Sequence, residues 1–522
     1  MSAEHIVHGK KPTAARPTAP QSGTGWLIRR AMLAVVLMIG FYLFAVAIAL
    51  GLLWIPYAEF AYVHRIQPKL ALVCVGAALA ILWALVPRPD RFAAPGPRLD
   101  ERTHPKLFGI IDEVAAATGQ EPPADVYLLN EVNAWVAQRG GTMGVGSHRV
   151  MGIGLPLLQA VTVPEFKAII AHEFGHYSSG DVKIGPWIYR TRAAIGRTIA
   201  GVRQTAVRAP FLWYGRQFLK LTHAVSRQQE FIADRIAARV AGRDAAGSAL
   251  RRVTAITPLF SAYVGNEVVP VLRAGFVPPI AAGFEAFLKS ALMTEALQKI
   301  AADAEADRHT DPYDTHPALP DRLVALGCRL DATVAAPASG EPASALLSNP
   351  EQAALSLIRF GLGDKARTLK PIAWDGVGDA VFAAGWKNVA ANRSKWLCRF
   401  VADALPGGRQ AFITLGSELV APGEENVAAD ERIARAAYLL GVGVGVLLLD
   451  TGWQARSEPG TPVLLVKGSQ SLDPLASVRG LADGSIPPDE WRLRCEAMGI
   501  AGRPLAAAAA APAVLERESV QR

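Results

Sequence analysis

At 522 residues, 51% of them hydrophobic, the chain is too long for one ordinary domain and apolar enough to build more than one core. Its formal charge of +8 is modest for that length and comes without an aromatic-basic recognition motif, which argues against nucleic acid as a partner. The cysteines, Cys74, Cys328, Cys398 and Cys495, form no CxxC pair, so they argue against a disulfide framework and a cysteine metal site and fit a reducing compartment.

The first 25 residues form a basic arm without apolar periodicity and are expected to be disordered. Residues 31–58 then run without a charge. A spanning helix needs about 20 such residues, whereas a signal peptide has an apolar stretch of only about 7–15. A second apolar run, 70–86, ends at Pro87 and completes a two-helix transmembrane anchor over 26–90. Lys10, Lys11, Arg16, Arg29 and Arg30 precede the anchor, and Arg88, Arg91, Arg98 and Arg102 follow it, while the connecting loop holds only Arg65 and Lys69. Positive charge stays in the cytoplasm. The expectation is a multi-pass protein of a bacterial-type inner membrane, with its N-terminus and catalytic domain cytoplasmic.

From Leu99 the pattern becomes globular. Residues 104–119 read as an amphipathic helix stopped by Gly119, and 125–130 and 148–154 as short strands, the second a candidate edge for an extended substrate. Next comes "TVPEFKAIIAHEFGHYSS". Thr162 and Glu165 have capping-box spacing, and Pro164 sits in the first turn, where its missing N–H does no harm. His172 and His176 therefore share one helical face, one turn apart, and can offer two imidazole nitrogens to one Zn²⁺. Glu173 follows the first ligand, where it can act on water at the metal; this is the HExxH arrangement of a zinc metallopeptidase. The alternative is a helix carrying two ordinary histidines.

Between Asp181 and Glu230 there is no acidic residue, while Lys183, Arg190, Arg192, Arg197, Arg203, Arg208, Arg216, Lys220 and Arg227 alternate with aromatic side chains. Residues 183–227 thus suit contact with anionic lipid, or else form long helices with a solvated basic face. "SRQQEFIADRIAARVAG" (226–242) reads as a second helix ending at Gly242. A catalytic zinc usually has three protein ligands and an open position. Glu230 can supply the third, and Asp234, one turn on, can accept the free ring N–H of a ligand histidine.

HExxH at 172–176 followed by SRxxExxAD at 226–234 resembles the M48 zinc metallopeptidases, which include HtpX-like membrane proteases and Ste24-like CAAX prenyl proteases. "NAWV" (133–136) is similar to the Asn-Ala stretch beside that family's substrate cleft, and "THPALPDR" (315–322) to its His-Pro motif with a downstream Arg. The resemblance covers about 95–330 and implies an α+β, mostly helical zincin-like domain binding one Zn²⁺ per chain. The metal ligands it implies are His172, His176 and Glu230, with Glu173 catalytic and Asp234 behind the ligands. It implies that His316 is catalytic and that Asn133, Ala134 and Arg322 bind substrate. Unlike HtpX-like proteins, this chain has no run between 182 and 229 long enough to cross a membrane.

Residues 331–345 are a linker by composition, 346–503 a small accessory α+β domain without a catalytic motif, and 504–522 an Ala-rich disordered tail. Within the accessory domain, 436–449 reads as a buried element, 453–468 as a hairpin around Pro459-Gly460, and 487–499 as a capped helix. The favoured function is zinc-dependent endoproteolysis, with misfolded or damaged membrane proteins as polypeptide substrates. The alternatives are a processing protease with one substrate and a non-catalytic membrane scaffold with a vestigial zinc site. Nothing in the sequence specifies an oligomeric state.

Overall fold

A computed structural model of the chain describes residues 24–86, 92–140, 146–178, 185–202, 204–308, 316–330, 340–420 and 426–507. The basic arm up to residue 23, Lys183, Arg203, most of the linker and the tail from 508 lie outside the described residues. The protein is mostly helical with some sheet and divides into two compact units. Among the described residues, one combines 24–261 with Met293–Ala366; the other combines Ala262–Leu292 with 367–507.

In the first unit, α1 (Thr24–Ala58) and α2 (Pro68–Leu85) occupy the two apolar runs. Both are long and apolar enough to cross a membrane, with mean hydropathies of 2.8 and 2.0 over their candidate spans. Two further segments meet the same length and composition criteria, Arg243–Arg273 and Ala429–Asp450. These two helices, α1 and α2, pack with α6 (Gly185–Gly201) and α7 (Thr205–Ala241). Phe41, Ala45, Ala78, Ile81, Phe211 and Phe218 are buried among these four helices. Phe211 meets Phe41 and Phe44 edge-on, and the Tyr214 hydroxyl donates to the Leu37 carbonyl at 2.7 Å.

Beyond the anchor, β1 (Arg98–Leu99), α3 (Pro105–Thr118), β2 (Asp125–Leu129), β3 (Ala134–Arg139) and β4 (His148–Gly154) lead into α4 (Leu155–Ala160) and α5 (Val163–Ser178). The strands form one sheet in the order β1-β2-β4-β3, with β2 parallel and β3 antiparallel to β4. This corrects the expectation that 148–154 is an edge: β4 is paired on both sides, and the edge is β3. In antiparallel pairing, backbone groups alternate between facing the partner and facing away. The Val136 carbonyl faces away and accepts the Tyr177 hydroxyl at 2.9 Å. Gly152 of β4 lies opposite Trp135, where an added Cβ would stand 2.5 Å from the indole. The α7 helix is longer than its sequence signals indicated, because its N-terminal half packs on α1 and α2 while its C-terminal half packs on α5. A short linker closes it, since α8 (Arg243–Tyr263) follows directly after Gly242.

The first unit extends past the expected linker. Pro342 forms a β-bridge with Thr162, Val163 N–H donates to the Glu341 carbonyl at 3.0 Å, and helix Pro350–Leu362 belongs to the same unit. In the second unit, helix Ala429–Asp450 runs through the core. Its glycines are close-packing positions: a Cβ at Gly441 would meet Leu475 at 2.8 Å, and one at Gly445 would meet Trp386 at 2.9 Å. Strands Gln454–Arg456 and Leu464–Lys467 form the hairpin around Gly460, whose φ of 80° suits glycine. Helix Pro488–Ala497 begins without a side-chain cap. The expected disordered tail starts too early at 504. Pro504 bridges Val401, and Leu505 is buried with its N–H donating to the Phe400 carbonyl at 3.0 Å.

Candidate metal centre

The α5 helix starts with the reciprocal bonds its sequence implies. Thr162 N–H donates to Glu165 Oε2 at 2.7 Å, and Glu165 N–H donates to Thr162 Oγ1 at 3.4 Å. The same buried carboxylate accepts the Ser248 hydroxyl and, at 3.2 Å, Arg252 Nε, which ties the start of α5 to α8. One turn before its end, α5 is pressed against α7. Gly175 faces Ala233, and a Cβ on Gly175 would stand 3.0 Å from Ala233 Cα. Glycine inside HExxH thus lets the two ligand-bearing helices approach.

That approach brings the three candidate ligands together. His172 Nε2 lies 3.4 Å from Glu230 Oε2, and His176 Nε2 lies 3.6 Å from Glu230 Oε1. These distances are long for hydrogen bonds. They match the spacing of about 3.4 Å between donors that share one tetrahedral ion at bond lengths of about 2.0–2.1 Å. Donor atoms of His172, Glu173 and His176 also lie within 4.8 Å of one another. Glu230 Oε2 is buried without a hydrogen bond of good geometry, although His316 Nδ1 is 3.0 Å away. Two imidazoles and a buried carboxylate with an orphaned oxygen fit a divalent metal of the zinc type.

A second layer orients the first. His172 Nδ1 lies 3.0 Å from Asp234 Oδ1, so Nε2 is the nitrogen turned toward Glu230. Arg322 donates from Nε and Nη2 to the two Asp234 oxygens at 2.8 and 2.6 Å, and its Nη2 is 3.4 Å from Glu230 Oε2. Nε and Nη2 of the guanidinium are therefore committed to Asp234, a positioning geometry, while Arg322 also lines the cavity.

The electrostatics follow from burial and these partners. Burial alone would lower His172, but the Asp234 and Glu230 carboxylates beside it outweigh that and raise it to about 9. Burial lowers His176 to about 4, helped by His172. Burial raises Glu173 to about 7, opposed by His172 and supported by Glu230. Glu230 is driven up by burial but held well below the usual carboxylate range by His172 and His316.

Residues 101–329 match the model of peptidase family M48. That segment of the chain is M48-like. It is similar to "Protease HtpX homolog" of Thermococcus kodakarensis, 26% identical over 30% of this chain and 58% of that one. "Protease HtpX homolog 1" of Sulfurisphaera tokodaii is 33% identical over 16% of this chain and 26% of its own. "Protease HtpX homolog 1" of Streptomyces coelicolor is 27% identical over 39% of this chain and 72% of its own. The chain thus spans little more than half of the first of these relatives. No solved structure matches it.

Within the M48-like segment, Asn133, Ala134, His172, Glu173, Asp234, His316 and Arg322 all line a single cavity. His176 and Glu230 join them through the contacts above. Gly154 fixes the approach of Asn133: its N–H donates to the Asn133 carbonyl at 2.8 Å, and a Cβ there would stand 2.9 Å from that oxygen. The sequence reading missed the far wall of the cavity, built by α8. Its only signal was the spacing of Ala246, Ala249, Leu250 and Val253, one face of a helix.

Proposed function

We propose that this M48-like protein is a membrane-anchored zinc endopeptidase, with His172, His176 and Glu230 as metal ligands and Glu173 as catalytic base. The observation that carries the reading is the Glu230 carboxylate bracketed by two imidazole Nε2 atoms at metal-sharing distances. The protease names of the relatives support it. Zinc, when bound, supplies a Lewis acid that polarises water and a peptide carbonyl.

The chain's own residues do the rest. Glu173, raised to about 7, takes the proton of the attacking water and delivers it to the leaving amine. His316, exposed on the cavity rim, faces the developing oxyanion. Asp234 holds His172 in the tautomer that presents Nε2, and Arg322 holds Asp234. The outer edge of β3 at Ala134, beside the cavity and ahead of the Val136 carbonyl that Tyr177 holds, pairs with an extended substrate. That geometry favours unfolded segments, in keeping with misfolded or damaged membrane proteins as substrates.

The α7 helix supports a cytoplasmic, membrane-proximal site. Glu230 lies twelve residues beyond Phe218, or about 18 Å along the helix from the cluster that α7 shares with the two apolar helices. Arg208, Trp213, Arg216 and Lys220 are exposed on the outer face of α7, a basic-aromatic stripe suited to anionic headgroups. The second unit is proposed as an accessory domain.

Hydrolysis of casein by purified full-length protein, with and without a chelator, tests the activity. Wild-type protein cleaves and the chelator stops it. Glu173→Gln loses cleavage by at least about 100-fold while keeping its metal. Near-normal hydrolysis by Glu173→Gln would overturn the assignment.

A further inference from the structure

We propose that the α8 side of the cavity is a binding pocket for one apolar substrate side chain, with its size limit set by alanines on α7 and α8. The proposal rests on the peptidase reading and adds which residue that peptidase selects. The pocket begins where the catalytic groups end. Ala168 precedes His172, and Ile169 precedes Glu173, by one helical turn, so both continue the same α5 surface away from the metal ligands. Ala237 of α7, three residues past Asp234, and Ala246, Ala249 and Val253 of α8 close the other sides. None of these six wall residues carries a charge or a hydrogen-bonding side chain.

The whole cavity, its catalytic side included, measures about 160 Å³, so the α8 side holds one side chain and no more. Among those methyl groups a Leu or Phe side chain next to the scissile bond is accommodated, and a carboxylate, which would lose its water against apolar walls, is penalised. The alanines make the space: each contributes one methyl, and a larger residue at Ala249 would occupy the cavity.

The test uses full-length protein in detergent and quenched fluorescent peptides that differ at one position beside the cleavage site: Gly, Ala, Leu, Phe or Asp. Cleavage sites are mapped by mass spectrometry, and binding of the same peptides to Glu173→Gln is followed by fluorescence anisotropy. Wild-type protein favours Leu and Phe over Gly and Asp by tenfold or more in kcat/KM, the scale of discrimination a hydrophobic pocket gives. Ala249→Phe collapses the Leu-to-Gly ratio about tenfold, in cleavage and in binding to the Glu173→Gln form. Val253→Ala moves the preference the other way, toward Phe over Leu, and carries the test if Ala249→Phe does not fold. Cleavage with ratios unmoved by either variant overturns the pocket and leaves the peptidase. Binding that is sensitive to Ala249→Phe without any cleavage overturns the peptidase and leaves the pocket. Neither binding nor cleavage overturns both.

Discussion

Gly175→Ala tests whether helix approach sets the metal geometry. The new Cβ would stand 3.0 Å from Ala233 Cα and 3.3 Å from Ala233 Cβ. Ordinary carbon–carbon contact is about 3.7 Å, so α5 and α7 must separate by about 0.7 Å. The histidine–Glu230 gaps, now 3.4 and 3.6 Å, widen with them. At a gap of about 4.2 Å, a tetrahedral ion would need bonds of about 2.6 Å, against the usual 2.0–2.2 Å. Sites tolerate only about 0.2 Å. The variant should therefore lose a ligand and bind zinc at least about 100-fold more weakly, measured by competition with a chromogenic chelator. Overpacking should also cost about 1–3 kcal/mol in thermal unfolding of the metal-free protein. Zinc affinity within threefold of wild type, in protein that remains folded by circular dichroism, would refute the claim that this contact sets the site.

Three other perturbations follow from the same geometry. Because Glu173 works as a base only when ionised and burial raises it to about 7, peptide hydrolysis should fall about tenfold per pH unit below that value. A flat rate from pH 7 to 5 with metal retained would contradict it. Because His172 is raised to about 9 while His176 is lowered to about 4, zinc binding at pH 7 should release about one proton, taken from His172. Calorimetry in buffers of different ionisation enthalpy reads that number. By the same linkage, the stabilisation His172 gives the metal-free fold is complete below about pH 6.5 and is lost as pH rises through about 9. Glu165→Gln removes the carboxylate that Arg252 and Ser248 share with the capping box, and should cost about 3–5 kcal/mol of stability by chemical denaturation.

The parts of the site legible in the sequence were those with local signals. The Thr162–Glu165 box marks a helix start, and HExxH marks its metal face, because helical neighbours three and four apart are fixed by the chain itself. Glu230 and Asp234 became legible through family resemblance, since a carboxylate pair on one helix has many uses. The misses were non-local. Which of 134–139 and 148–154 forms the edge depends on strand order, and strand order is set by pairing among distant segments. Nothing local marks Gly175, because its partner, Ala233, belongs to another helix. Nothing local marks the alanines of α8 either, since only their arrangement around Glu173 makes a pocket. The bond of Arg322 to Asp234 was not legible either, because a short motif does not reveal which distant carboxylate its guanidinium meets.

Elemental analysis of carefully purified protein, wild type beside Glu230→Ala, tests the central claim most directly. The account predicts close to one zinc per wild-type chain and a fraction of that in the variant. Wild-type protein without stoichiometric metal, or a Glu230→Ala protein that holds zinc as tightly, would contradict it.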